Sequence, residues 1–238
     1  GVGKTETTKA LAEVFFGEEA KILRLDMSEY SSFDSVSKLI GSFESKQEGV
    51  LSSMLREHQY GVLLLDEFEK TTKEVMNLFL QILDEGFFSD AYGKKINARN
   101  LIIIATSNAG SDLIWETMQK GDDLSGSKDQ IVDSIVKSGV FKPELLNRFD
   151  GVVLFHPLND EHLRKIAELM LYRLHGRLAK QGINLVVNEN LLNFVVSFGT
   201  DPKFGARPMN RAIQEKVEEL VARKIISGSI PKGGSVEL

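Results

Sequence analysis

The sequence predicts an α/β fold, a parallel sheet flanked by helices over residues 1–156, followed by a smaller, mostly helical α+β domain over 157–238. Three observations carry this reading. Short apolar runs alternate with helix-period segments through the first half, as a parallel sheet covered by helices requires. A glycine-rich pentapeptide leads directly into a helix, as at the start of many α/β sites. After His156 and Pro157 the pattern changes to that of amphipathic helices.

Taken in order, residues 5–16, 48–58 and 73–83 read as helices, and the apolar runs 21–25, 61–65, 101–105 and 152–155 as buried strands. Residues 120–128, rich in Gly and Ser-Gly turn signals, read as a surface loop. Beyond the boundary near 157, Leu163, Ile166, Ala167, Met170, Leu171, Leu174 and Leu178 share one face of a helix. Arg164, Lys165, Arg173, Arg177 and Lys180 supply its solvated face. Residues 188–198 and 208–226 continue as helices, with short strands at 183–187 and 235–238.

Composition narrows the function. The 238 residues suit one large domain with a small one, at about 150 residues per domain. With 42% hydrophobic and 26% charged residues, the chain is an ordinary folded one. Twenty-nine Lys and Arg against 34 Asp and Glu, a net charge of −5, argue against nucleic acid as a general partner. The absence of Cys excludes disulfides, thiolate metal sites and a cysteine nucleophile, and fits a reducing, cytoplasmic compartment. No apolar run approaches the ~20 residues of a membrane helix, and no signal-peptide pattern opens the chain, so no membrane partner is expected.

Gly1-Val2-Gly3-Lys4-Thr5 matches the last five positions of the phosphate-binding pattern G-x-x-x-x-G-K-[ST]. In such a loop, successive backbone amides converge on phosphate oxygens, the Lys charge meets the β and γ phosphates, and the Thr hydroxyl ligates Mg²⁺. Five residues alone could equally be a turn capping a helix. A second motif decides between the two: the apolar strand Gly61-Val62-Leu63-Leu64-Leu65 ends in Asp66-Glu67, the Walker B arrangement. Asp66 is set to hold Mg²⁺ through water, and Glu67 to polarise the attacking water. A nucleotide with Mg²⁺ is therefore expected, and Thr5 and Asp66 are the metal-directed residues. Because such loops follow a central strand and none precedes Gly1, the natural chain is expected to extend upstream.

Several stretches then resemble one family, the second ATPase module of Clp-type AAA+ unfoldases and disaggregases. They are Arg24-Leu25-Asp26-Met27-Ser28-Glu29-Tyr30, Leu64-Leu65-Asp66-Glu67-Phe68-Glu69-Lys70 and Ala105-Thr106-Ser107-Asn108-Ala109-Gly110. Phe141-Lys142-Pro143-Glu144-Leu145-Leu146-Asn147-Arg148 and Lys203-Phe204-Gly205-Ala206-Arg207-Pro208 complete the set. The resemblance spans nearly the whole chain in order. It implies a hexameric homo-oligomeric ring that couples ATP hydrolysis to unfolding or disaggregating protein substrates, and it leaves a peptidase partner open.

The resemblance also implies roles. Glu67, Asn108 and Arg148 become the catalytic set. Gly1, Val2, Gly3, Lys4, Thr5, Glu6, Asp66 and Arg207 become the nucleotide-binding set. Asn108 takes the sensor 1 place, orienting water near the γ-phosphate, or is simply a turn terminator. Arg148 is the finger offered to a neighbouring subunit's ATP, or a surface salt bridge. Arg207 is sensor 2, at a helix start where Pro208 suits the first turn, or a solvated Arg.

The chain departs from the family at residues 42–49, where a Gly-flanked aromatic loop would project into the ring's pore. Here the segment is shorter, and Phe43 is its only aromatic, either facing the pore or packed in the core. That departure supports an alternative, an ATP-dependent regulatory or assembly module that does not thread substrate. The four His show no metal-ligand spacing, and Trp115, Phe87 and Phe88 stand in no motif.

Overall fold

The computed structural model describes residues 3–17, 21–121, 124–199, 206–228 and 234–237. Its contacts divide it into two compact units, Gly3–Leu154 and the residues from Phe155 onward.

In the first unit, α1 (Lys4–Phe16) is followed by β1 (Ile22–Asp26) and then by α2 (Ser35–Ile40). The small strands β2 (Gly41–Ser42) and β3 (Gln47–Glu48) form an antiparallel hairpin before α3 (Val50–Glu57). Then come β4 (Gly61–Asp66), α4 (Lys73–Glu85), a second hairpin of β5 (Phe87–Ser89) and β6 (Lys95–Asn97), and β7 (Leu101–Ala105). Three helices close the unit: α5 (Ser111–Gln119), α6 (Leu124–Lys137) and α7 (Pro143–Leu146).

The main sheet is parallel, ordered β1-β4-β7. Register places Asp26 level with Asp66, and Leu65 level with Ala105. The three carboxyl ends therefore meet at one edge, where open α/β sheets bind ligands. Val62, Leu63, Leu64 and Leu65 are almost wholly buried, as a central strand covered on both faces must be. Below that edge Phe68 stacks on Phe141 with ring centroids 5.9 Å apart and meets Phe79 edge-on at 5.7 Å. Thr72 caps α4 by accepting from the Val75 amide, and Val75, Phe79 and Ile82 form its buried stripe.

Three sequence expectations are corrected, and one of two open alternatives falls away. Residues 152–155 are not a strand: no described strand bonds to them, and Val153 is 75% exposed. An apolar run becomes a strand only with a ladder partner. Residues 120–128 are not all loop, since α6 starts at Leu124, anchored by buried Leu124 and Ile131 seven residues apart on one face. The helix expected from 48 starts at Val50, because Glu48 is held in β3 and Gly49 precedes the first turn. Phe43 is not a core residue, being 71% exposed at the tip of the first hairpin.

The second unit is built on α8 (Asp160–Ala179), whose Leu163, Ala167, Leu171 and Leu174 are buried. Around it lie β8 (Asn184–Leu185), α9 (Glu189–Val196), α10 (Arg207–Ala212), a π-helical turn over Ile213–Glu218, α11 (Glu219–Ile226) and β9 (Ser235–Val236). β8 and β9 pair in parallel. Asn159 and Asn188 cap α8 and α9 by accepting amides three residues on. Leu171, Leu191, Val195, Met209, Val217 and Val236 share one core.

Candidate functional site

The site is assembled at the carboxyl edge of the main sheet. Gly3 precedes α1 with φ of 102°, a left-handed conformation that glycine adopts without steric cost. No side chain caps the helix start, so its first amides keep the partial positive character that favours an anion. The Lys4 ammonium donates to the Ser107 carbonyl at 2.5 Å and to Asn108 Oδ1 at 2.7 Å. Lys4 and Asn108 thus meet across 104 residues of sequence. Thr5 is half-buried beside Lys4 in the chain, while Glu6 is exposed and pairs with Lys9 at 3.0 Å. Gly1 and Val2 lie outside the described residues, as do Lys203, Phe204 and Gly205 of the last motif.

Asp66 ends β4 with both carboxylate oxygens engaged. Oδ1 accepts the Thr106 hydroxyl, and Oδ2 accepts Arg24 Nη2 at 2.7 Å. Glu67 follows at φ 56° and ψ 46°, a left-handed conformation that costs a non-glycine residue about 1–3 kcal/mol. Its amide donates to Thr106 Oγ1 at 3.2 Å, and its carboxylate lies 3.5 Å from Lys70 Nζ. The loop after β7 is tied to the turn after β4 by a further bond, from the Asn108 amide to Glu69 Oε1 at 3.1 Å. Beside them, the Ser28 hydroxyl holds the Asp26 carboxyl below its ordinary pKa against a smaller effect of burial. The Ser28 amide and the charges of Arg24 and Lys70 reinforce that depression.

Lys4, Asp66, Glu67 and Asn108 are therefore drawn into one region through a handful of direct bonds. Sequence reasoning assigned no site role to Thr106 or Arg24. Each carried a signal: Thr106 is a polar residue continuing an apolar strand, and Arg24 is a charge within one. Thr5 and Asp66 also suit a divalent cation. They supply a hydroxyl and a carboxylate, both oxygen donors, and Asp66 already accepts a cationic partner in Arg24. Among the described residues no group of three or more His, Asp or Glu could hold a metal alone. A site completed by water and phosphate oxygens needs no such group.

The structure does not bring Arg148 into this group. It pairs with Asp84 at 3.2 Å, both about half exposed, in a cleft of about 540 Å³ also lined by Arg99 and Asp150. An exposed pair of this kind contributes up to about 1 kcal/mol, so the guanidinium can exchange partners at little cost. Arg207 stands exposed as the first residue of α10 in the second unit. Among the described residues no helix is long and apolar enough to cross a membrane.

Residues 1–152 match the family described as the AAA domain (Cdc48 subfamily), and residues 158–238 match the C-terminal, D2-small domain of ClpB protein. The chain is 41% identical over 242 residues to Chaperone protein ClpB of Vibrio cholerae and 40% identical to that of Rickettsia felis. Each alignment covers all of this chain and 28% of the relative, so the chain spans less than a third of the length of these relatives. Among solved structures, the closed state of Hsp104 with ATPγS and FITC casein superposes with a TM-score of 0.85 at 31% identity, covering 100% of this chain and 42% of that one. The extended Saccharomyces cerevisiae Hsp104:casein complex gives 0.83 at 32% identity, covering 96% and 40%.

Proposed function

The chain belongs to the AAA family, with a ClpB-type small domain behind its ATPase domain, and from that premise we propose that it is the ATP-binding and ATP-hydrolysing module of a Clp-type ring chaperone that unfolds or remodels proteins. The two functional domains divide near residue 157. What supports the reading is the meeting of Lys4 with Asn108, and of Thr106 with Asp66 and Glu67, at the carboxyl ends of β4 and β7. Gly1, Val2, Gly3, Lys4, Thr5 and Glu6 are the residues that bind the nucleotide at the start of the chain. The Lys4 ammonium exchanges its bonds to Ser107 and Asn108 for phosphate oxygens.

Thr5 and Asp66 would hold Mg²⁺, which neutralises charge on the phosphates when bound. Glu67 orients and polarises the attacking water, with Asn108 directing the same water. Arg148 acts on the ATP of the neighbouring subunit in a hexameric ring, and Arg207 contacts nucleotide from the second domain. The substrate is an unfolded or aggregated protein, and the compartment is the cytoplasm. A second reading, a regulatory module that does not thread substrate, is favoured by one observation: the first hairpin is short and offers a single aromatic, Phe43.

The test is Glu67→Gln in the full-length protein. Nucleotide affinity should hold while turnover falls by about 10²-fold or more, the usual loss when a general base or water-orienting carboxylate is removed. Wild-type turnover in this variant would remove Glu67 from its role.

A further inference from the structure

Thr106 is buried, 5% exposed, and it touches each of the four residues that follow the interior of β4. Its amide donates to the Leu65 carbonyl at 2.9 Å, and its carbonyl accepts from the Phe68 amide at 2.9 Å. Between these, its hydroxyl donates to Asp66 Oδ1 and accepts from the Glu67 amide at 3.2 Å. A hydroxyl has one proton to give and lone pairs to receive. Here the proton goes to the metal-directed carboxylate and a lone pair to the backbone of the water-directed residue. At 5% exposure, water is poorly placed to take over either bond.

We propose that Thr106 is a positioning residue of the hydrolytic site, its single hydroxyl fixing the Asp66 carboxylate and the left-handed turn at Glu67 together. This rests on the functional reading above. A left-handed conformation at a residue with a side chain persists only where surrounding bonds over-determine it. The two backbone bonds of Thr106 extend the β4–β7 ladder and would survive any side chain. The hydroxyl bonds are separable from the fold, and through them one side chain holds both the Asp66 carboxylate and the Glu67 amide. The β-branch adds to this, because it restricts χ1 and keeps the hydroxyl aimed at the turn. Thr106 touches no reacting atom; it acts through Asp66 and Glu67.

The experiment compares Thr106→Val, which keeps the shape and removes the hydroxyl, with Thr106→Ser, which keeps the hydroxyl. Both are made in the full-length assembled protein, with Glu67→Gln as reference. Steady-state ATPase gives kcat and KM, equilibrium titration gives nucleotide affinity, and amide hydrogen exchange follows the peptide spanning residues 65–69. Thr106→Val should lower kcat by about tenfold to a hundredfold, the loss expected for a misplacement near 1 Å, with nucleotide affinity changed by less than about threefold. Thr106→Ser should restore most of the turnover. The Glu67 amide should exchange several-fold faster in the Val variant and near the wild-type rate in the Ser variant. Wild-type kcat in Thr106→Val beside a slow Glu67→Gln would overturn the proposal and leave the functional reading standing. Equal losses in Val and Ser would assign the effect to packing and also overturn it. Wild-type turnover in Glu67→Gln would overturn the functional reading, and this proposal with it.

Discussion

Glu67 and Lys46 are the two non-glycine residues with positive φ among the described residues, and their situations differ. Lys46 turns the exposed end of a hairpin, where such conformations are common. Glu67 holds one between a buried strand and a buried phenylalanine, bonded through its amide to Thr106. Stability is given up there for the placement of a carboxylate. Glu67→Gly should accordingly be more stable than Glu67→Ala by about 1 kcal/mol in chemical denaturation, because glycine adopts the left-handed region without the Cβ clash. Both variants should lack turnover, and equal stability would show the turn to be unstrained. Asp26 shows the opposite trade at the same edge of the sheet, since its partners favour the ionised form. A carboxyl depressed in the folded state contributes stability that is complete above its unfolded pKa and lost as pH falls through the folded value. Asp26→Asn should therefore lower stability at neutral pH and flatten the profile below about pH 4, where the wild type loses this contribution. An acid limb as steep as the wild type's would assign acid sensitivity elsewhere.

The β2–β3 hairpin is a braced prong. Arg56 bridges Glu48 of the hairpin to the buried Asp90 of the neighbouring turn, and the Ala91 amide donates to the Ile40 carbonyl at 3.1 Å. At its tip the Phe43 ring meets Tyr92 edge-on, centroids 5.9 Å apart. A Cβ at Gly49 would lie 2.3 Å from the Leu39 carbonyl and the Gly41 amide, backbone atoms that cannot yield. Gly49→Ala should thus unlock the prong and cost about 1–3 kcal/mol, as other steric insertions do. If the prong grips substrate, its grip is almost entirely aromatic, so Phe43→Ala should remove substrate-stimulated ATPase and spare the basal rate. Equal stimulation in wild type and variant would show that Phe43 plays no part, and no stimulation in either would favour the regulatory reading. These hairpins also mark where sequence stopped being legible. β4 and β7 were readable because an apolar run of five or six residues has little else to be in an α/β chain. Strands of two or three residues carry no period, and α6 was hidden by Ser and Gly that resemble a turn. Residues 152–155 had the composition of a strand but lacked a partner. In the site, Lys4, Asp66, Glu67 and Asn108 were legible because each sits at a fixed offset from a strand or loop end. Thr106 and Arg24 owe their roles to neighbours about 40 residues away, which no local pattern records.

The chain holds two compact units, with the proposed hydrolytic group in the first and Arg207 in the second. Arg207→Ala should weaken nucleotide affinity within its own subunit, measured by titration of the assembled protein, and an unchanged dissociation constant would count against a sensing role. Arg148 makes the stronger demand. Its own unit gives it Asp84 as a partner in an exposed pair rather than the Lys4, Asp66 and Glu67 group. If, as proposed, Arg148 serves another subunit's phosphate, so loose a pair would release it at little cost, and arginine fingers contribute about 10³ to 10⁵ in rate. Action in trans can be separated from action in cis by mixing two inactive proteins, Arg148→Ala and Glu67→Gln. On the proposed reading, each alone should form rings in which every site lacks one essential group. In mixed rings, an Arg148→Ala subunit keeps its own Glu67, and a Glu67→Gln neighbour on the correct side supplies the missing Arg148. Such sites are complete only if the finger crosses the interface, so ATPase should reappear on mixing and vanish again when either variant is in large excess. Mixed rings that stay silent at every ratio, with assembly verified by mass, would return Arg148 to a role within its own subunit.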